Sequence, residues 1–463
     1  MSGVPRLLIS AAHKSSGKTT VSVGLTAALR ARGLDIRTFK KGPDYIDPMW
    51  LARASGRSCY NLDFNTQEPD DIRALFLRGG ADAALALIEG NKGLHDGIDT
   101  LGSDSTAALA KSLAAPVVLV IDVEGITRGI APLVLGHRMF DPEVAVKGAV
   151  LNRVASPRQE AKLRQALERY TDVPVLGVVG RDAALVVEER HLGLTPPAEL
   201  DSRDATIGRL AVAVAQGIDL DRVLAIAREA PRLPETNRPL ASSRVADIRI
   251  AVARDAAFGF YYQDDFEALT DAGAELVFFD TLRGDGPPAA DGMVIGGGFP
   301  ETQMAALSNN RSMRAAIRAL AESGLPIYAE CGGLMYLTRG IAWGDRCHDM
   351  VGFLPADTVM HGAPRGRGLV VLEETGELPW PKARAPASGR IAAHEFHYAS
   401  LERVDPACRY AYRVSRGTGI GGGLDGLVRG GVVAGFSHQR STAKGGSWAE
   451  RFVAFVRDRK RAR

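Results

Sequence analysis

The sequence predicts an α/β protein of two domains, the first built on a doubly wound parallel sheet. Three observations support this. Short β-branched runs alternate with helical-period segments through the first half, the pattern of βαβ units covered on both faces. A Gly-Lys-Thr tripeptide, Gly17 to Thr19, stands where the first such run gives way to a helix. Prolines then cluster between Pro231 and Arg244, apolar periodicity fades, and the alternation resumes at Ala246.

The expected strands of the first half are RLLIS, DIRTF, AALALIEG, PVVLVID, VKGAVLN and VPVLGVV, several of them apolar on both faces. An amphipathic helix from Thr19 to Arg32 stops at Gly33, a residue suited to the left-handed turn that ends a helix. In the second half, ADIRIAVARD, AELVFFD, DGMVIGGG and LPIYAEC read as further strands. The expected boundaries are residues 1–195 for the first domain, 196–245 for a linker region and 246–463 for the second domain. The basic end RDRKRAR suits a solvated helix terminus.

A chain of 463 residues is long enough for two or three domains with cores of their own. A net charge of +3 argues against nucleic acid and membrane surfaces as partners. The four cysteines, Cys59, Cys331, Cys347 and Cys408, are widely spaced with no CxxC pair. That speaks against a zinc site or disulfide framework and for a reducing cytoplasm. The opening residues lack the apolar core of a signal peptide, and no run has the length of a membrane span. A cytoplasmic enzyme is expected.

The stretch LLISAAHKSSGKTT reads as strand, small-residue loop and helix start. Ser16, Gly17, Lys18, Thr19 and Thr20 are the candidate ATP-binding residues: backbone N–H groups cradle phosphate, Lys18 neutralises the β/γ oxygens and the Thr19 hydroxyl holds Mg²⁺. The leading glycine of the G-x-x-x-x-G-K-[ST] pattern is replaced by Ala12. Two acidic clusters follow strands at the carboxyl edge, where such sheets bind ligands. FKKGPDYIDP carries Asp44 and Asp47, and LIEGNKGLHDG carries Glu89 and Asp96. Carboxylate oxygens there suit Mg²⁺.

In the second half Cys331 stands at the strand-to-helix turn of LPIYAECGGLMYL. A buried structural thiol is the commoner use of a lone cysteine, but the surroundings favour a nucleophile. Gly297 and Gly298 in MVIGGGFPE and Gly332 after the thiol supply backbone N–H groups for an oxyanion hole. A base is available from His394 and His397 in AHEFHYAS or from His438, which follows a late strand. Glu330, Glu395 and Glu402 are all candidates to orient it. The remaining histidines, His13, His95, His137, His191, His348 and His361, read as surface or loop residues.

With these residues in place, the chain resembles the cobyrinic acid a,c-diamide synthase family over nearly its whole length. FKKGPDYIDP, NLDF, EGNKGLHDG, ERHLGL, GGGFPE, AECGGLMYL and HEFHYAS occur in the family's order. The resemblance implies a P-loop amidoligase domain like that of dethiobiotin synthetase, fused to a class I-type glutaminase domain. It implies Cys331 as nucleophile and His438 as base. It ties Asp44, Asp47 and Asp96 to substrate or intermediate and Thr19, Asp47 and Glu89 to metal. Asn152 would meet the adenine. The Ala12 loop, DTLRGD after AELVFF and the late FSHQRSTAKGG depart from the family's usual text.

The implied activity is ATP- and glutamine-dependent amidation of the a and c acetate side chains of cobyrinic or hydrogenobyrinic acid. The substrates are then a tetrapyrrole polycarboxylate and glutamine, and a homodimer is kept open. Arg365, Arg367 and the segment from Arg158 are local cations for a polycarboxylate, although a solvated face is their ordinary role. One alternative keeps the chemistry and takes siroheme or a metallo-sirohydrochlorin as substrate. Another is a non-catalytic P-loop regulator or partitioning ATPase, which leaves Cys331 and His438 without a purpose.

Overall fold

The computed structural model describes residues 3–185, 189–190, 193–200, 202–234, 244–382 and 389–462. The chain divides into two compact units, Met1–Phe64 with Glu68–Arg238, and Asn65–Gln67 with Pro239–Arg463.

The first unit runs β1 (Arg6–Ala11), α1 (Lys18–Ala31), β2 (Ile36–Lys41), α2 (Ile46–Ser55), β3 (Cys59–Leu62), α3 (Pro69–Gly79), β4 (Leu85–Glu89), α4 (Thr106–Ser112), β5 (Val117–Asp122), α5 (Ile130–Phe140), β6 (Val146–Val154), α6 (Pro157–Tyr170) and β7 (Val175–Gly180). A short ribbon, β8 (Glu189–Arg190) and β9 (Gly193–Leu194), precedes α7 (Arg203–Gly217) and α8 (Leu220–Arg228). The seven main strands form a parallel sheet in the order β3-β2-β4-β1-β5-β6-β7. Strand periodicity divides its core in two. Leu8 of β1 and Leu119 of β5 feed one face with α3 to α6, while Leu7, Ile9 and Val120 feed the other with α1, α7 and α8.

Two expectations are corrected here. The strand β3 was missed because CYNL is short and half polar. The expected linker at 196–245 holds α7 and α8, whose Val214, Val223 and Ile226 are buried in the core on one face of the first sheet. Their apolar stripe is narrow and set among charged residues, so the text reads as polar although one face is core. His191 and residues 235–243 lie outside the described residues.

The second unit contains β10 (Ile248–Ala253), α9 (Gln263–Asp271), β11 (Ala274–Phe279), β12 (Gly292–Ile295), α10 (Met304–Asn309), α11 (Arg311–Glu322), β13 (Ile327–Glu330), α12 (Gly332–Leu337), β14 (Gly340–Trp343), β15 (Arg346–Asp349), β16 (Asp357–Met360), β17 (Gly366–Glu374), β18 (Ile391–His397), β19 (Ala399–Glu402), β20 (Arg409–Arg416), β21 (Leu424–Arg429), β22 (Val432–Gly435) and α13 (Trp448–Arg461). Its main sheet has the order β11-β10-β12-β13-β22-β21-β20-β17-β18. It is parallel from β11 to β22 and antiparallel beyond. The strands β14, β15, β16 and β19 form a small separate sheet. In β13, Ile327 and Ala329 face one core and Tyr328 the other. No helix among the described residues is long and apolar enough to cross a membrane.

Replacing Ile226 of α8 by Ala should cost about 2–5 kcal/mol, as for other buried large-to-small changes. Thermal and chemical unfolding measure this. A change within about 0.5 kcal/mol, the range of exposed sites, would return α8 to linker.

Candidate functional site

Register builds the first unit's site. Lys40 of β2 is paired with Asn61 of β3 on one side and Glu89 of β4 on the other. β4 borders β1, whose carboxyl end opens the loop to α1. In that loop Ser15 and Gly17 take positive φ, 66° and 89°, and buried Ser16 donates its hydroxyl to His13 O at 2.8 Å. A Cβ on Gly17 would lie 2.1 Å from Asn152 Nδ2, so both backbone and space require glycine. Lys18 is buried and donates Nζ to Lys92 O. Burial, followed by repulsion from Lys40, lowers the Lys18 pKa to about 8. Thr19 donates Oγ1 to Glu89 Oε1 at 2.9 Å, and Thr20 lies in the first turn of α1.

Lys40, overlooked in the sequence, is the centre of this cluster. Its ammonium is 2.6 Å from Asp47 Oδ2, 2.8 Å from Glu89 Oε1 and 3.9 Å from Asp44 Oδ2. Burial opposes its charge, but Asp47 and Glu89 hold its pKa well above the ordinary lysine value. Asp47 goes the other way: burial opposes ionisation, and Lys40 outweighs it. Burial raises Glu89. Asp44 is pushed up to about 7 by burial and then by the Asp47 charge. Asp44 Oδ1 also accepts the Ile46 and Asp47 N–H groups at 3.0 and 3.1 Å. Asn61 ties down the same loop by donating to Gly42 O and Asp44 O.

Asp96 stands outside the Lys40 group; its Oδ2 accepts the Gly93 N–H at 3.0 Å in the turn after β4. Asn152 Nδ2 donates to Ser16 O at 2.9 Å, which braces the phosphate turn.

In the second unit, parallel register brings three strand ends to one edge: β12 runs into Gly296–Gly298, β13 into Cys331 and β22 into Phe436–His438. Cys331 has φ 47° and ψ −101°, a conformation seldom adopted by a side-chain-bearing residue. Its N–H donates to Gly435 O at 2.7 Å and its carbonyl accepts from Met335 N at 3.1 Å. A Cβ on Gly333 would meet Ile295 O at 2.1 Å, and one on Gly332 would lie 3.1 Å from Gly298 N. Gly332, the residue after the thiol, therefore packs directly on the Gly298 backbone. Gly297 packs on the base: a Cβ there would meet His438 Cε1 at 2.5 Å.

His438 Nδ1 is 3.4 Å from Glu330 Oε2, and Cys331 and Glu330 are the groups that act on its proton. Burial depresses its pKa, but these two partners overcome burial and push it up to about 10. Glu330 is fixed in turn by donors at its other oxygen, Tyr328 OH at 2.5 Å and Gln439 N at 2.9 Å. The orienting carboxylate is thus Glu330. Glu395 accepts from Thr418 N and Gly419 N and lies 3.6 Å from His397, and Glu402 pairs with Asp357 in the small sheet. His397 stacks on Phe436. His394 stacks on His438 itself. A carboxylate adjacent in sequence to its nucleophile carries no spacing signal, which is why the choice was open.

This is a nucleotide-type phosphate loop and a Cys–His–Glu site in one chain, the equipment of an amidotransferase with a nucleotide-binding domain. Residues 8–194 match the CobQ/CobB/MinD/ParA nucleotide binding domain, and residues 249–444 match the CobB/CobQ-like glutamine amidotransferase domain. The chain is 44% identical to the cobyrinate a,c-diamide synthase of Magnetococcus marinus over 98% of each chain. It is 39% identical to that of Methanosarcina barkeri, covering 95% of this chain and 94% of the relative. It is also 38% identical to that of Listeria innocua, covering 94% and 95%. The chain belongs to the cobyrinate a,c-diamide synthase family.

Glu330→Gln should lower the proton affinity of His438 and slow iodoacetamide alkylation of Cys331 at pH 7 by ~10-fold or more, since one pKa unit is a factor of ten in population. Rates followed by mass spectrometry against pH should show the profile displaced; an unchanged profile removes Glu330 from the site. For Asp44, a folded pKa near 7 against the ordinary 3.8 means stability is lost as pH rises from about 4 to 7. Asp44→Asn, which keeps the acceptor oxygen, should melt higher than the parent at pH 8 and alike at pH 4.

Proposed function

We propose that this chain performs ATP- and glutamine-dependent amidation of the a and c acetate carboxylates of cobyrinic or hydrogenobyrinic acid. The observation that carries the reading is Cys331 at a strained strand-to-helix turn, with His438 as its partner and the Gly297–Gly298 loop packed beside it. With the thiol proton held on His438, the sulfur attacks the glutamine amide carbon. The Gly298 and Gly332 amides face the oxygen that becomes negative, with Gly297 shaping the loop. His438 returns the proton to the departing ammonia. Water then cleaves the thioester and releases glutamate.

In the first unit, transfer of the ATP γ-phosphoryl to the substrate carboxylate turns a poor leaving group into phosphate, which ammonia displaces. Lys18 is placed by the motif to neutralise the phosphoryl oxygens. Glu89 Oε2 is buried with no hydrogen-bond partner among the described residues. With the Thr19 hydroxyl and Asp47 it offers the oxygen donors a hard cation takes. Three or more His, Cys, Asp or Glu side chains arranged as a full cage are absent among the described residues, and Mg²⁺ needs only one or two carboxylates beside water and phosphate. When bound, Mg²⁺ would offset the charge that develops on the phosphates. Asp44, Asp47 and Asp96 remain the groups proposed to meet substrate or intermediate.

The relatives are named for cobyrinate, and no observation favours siroheme or a metallo-sirohydrochlorin. A non-catalytic regulator has no use for the Cys331 site. The four free cysteines suit a reducing cytoplasm, and a homodimer is compatible with this reading.

The test is incubation with ATP, glutamine and candidate tetrapyrroles, reading each exchange of hydroxyl for amine by mass spectrometry. Cys331→Ala should lose glutamine-driven amidation and keep the ammonium-driven reaction, whereas Lys18→Ala should lose both. Loss of the ammonium-driven reaction in a folded Cys331→Ala protein would contradict the division of labour.

A further inference from the structure

His394 has no part in the bond-making described above, yet it is built into the site. Its imidazole lies against that of His438 with ring centroids 4.9 Å apart and planes 15° from parallel. The two residues also share a backbone bridge, His438 N donating to His394 O at 2.8 Å and His394 N to His438 O at 3.2 Å. His394 is 6% exposed. Its Nδ1 is hydrogen-bonded to Tyr262 OH at 3.3 Å. Tyr262 in turn lies under the Arg440 guanidinium, 4.7 Å from the ring, and Arg440 is fixed by Asp264 at 2.9 and 3.0 Å.

Contacts restrain the His438 ring at three points. Glu330 holds Nδ1, Gly297 abuts Cε1 and His394 covers one face. A histidine on a loop has two free side-chain torsions, and the aromatic one is broad. A backbone bridge fixes Cα and Glu330 holds one ring nitrogen; a flat neighbour restrains rotation about the direction of that contact.

We propose that His394 is a positioning residue of the glutamine-hydrolysing site, its stacked ring setting the plane in which His438 meets the Cys331 sulfur. The proposal rests on the reading of Cys331 as the ammonia-releasing thiol. Burial, then the neighbouring His438 and Arg440, hold the His394 pKa well below the ordinary histidine value. A neutral ring can stack on an imidazolium without repelling it. The charged and titratable groups facing the pair are Cys331, Glu330, Tyr262 and Arg440.

Two variants of the full chain separate stacking from hydrogen bonding. His394→Phe keeps the flat face and loses the Tyr262 partner; His394→Asn keeps polar capacity and loses the face. Glutamate release, ammonium-driven amidation, thermal midpoint and the pH profile of Cys331 alkylation are measured for both. We expect His394→Phe to stay within a few-fold of the parent. His394→Asn should lose ~10-fold or more in kcat with little change in KM for glutamine, the scale of a small misplacement of a reacting group. Ammonium-driven amidation should be unchanged in both, with the alkylation profile displaced only in His394→Asn. Equal losses in the two variants, an Asn variant as active as the parent, or losses that follow the thermal midpoint and extend to the ammonium reaction would each overturn the proposal. If the parent itself releases no glutamate, the reading of Cys331 fails first and separately.

Discussion

The second unit depends on one constrained turn, at Cys331. A non-glycine residue at φ 47°, ψ −101° costs roughly 1–3 kcal/mol of backbone strain. The turn persists because its surroundings leave no other path. The amide is bound to Gly435 O in the neighbouring strand and the carbonyl caps α12. Gly332 and Gly333 let the helix start press against the β12 loop, where side chains would collide with Ile295 and Gly298 backbone. The turn carries the chain from β13 into α12 at the buried Cys331 and sets Gly332 against the β12 loop.

The first unit is constrained by charge. Lys40, Asp47 and Glu89 are buried together, and Asp44 is close by. Taking these groups out of water costs several kcal/mol per ion, which their attraction offsets only with good geometry. Three carboxylates surround one Lys40 ammonium; burial first, and then the Asp47 charge, raises Asp44, and burial raises Glu89. Lys18, held down near 8, sits on the same edge without being bound to the carboxylates.

The parallel strands of both main sheets were legible apart from β3, because apolar runs buried on two faces leave a strong signal; the antiparallel strands β17, β18, β20 and β21 and the small sheet were not expected. The residues that follow strand ends were legible too: Gly17 to Thr19, Asp44, Asp47, Glu89, Gly297, Gly298, Cys331 and His438 lie where the parallel register gathers them. What could not be read depended on contacts between distant strands. Lys40 looked like one of two basic residues in a strand until Asn61 and Glu89 flanked it. The α7–α8 segment failed for a different reason: a one-sided helix rich in arginine resembles a linker when its apolar stripe is counted as an average.

The adjacency of Glu330 and Cys331 has a structural consequence. In a strand, consecutive side chains point to opposite faces, so neighbours could not both reach one imidazole from regular β geometry. The positive φ at Cys331 breaks the alternation at that residue. Glu330 can then hold Nδ1 of His438 while Cys331 meets the same ring. The strained turn thus does two things at once. It presents the sulfur, and it lets one strand end supply both the nucleophile and the carboxylate that orients the base. With His438 delivered by the adjacent strand β22, the three side chains of the candidate site come from two neighbouring strand ends, whose relative position is set by the hydrogen-bonded pairing of β13 with β22.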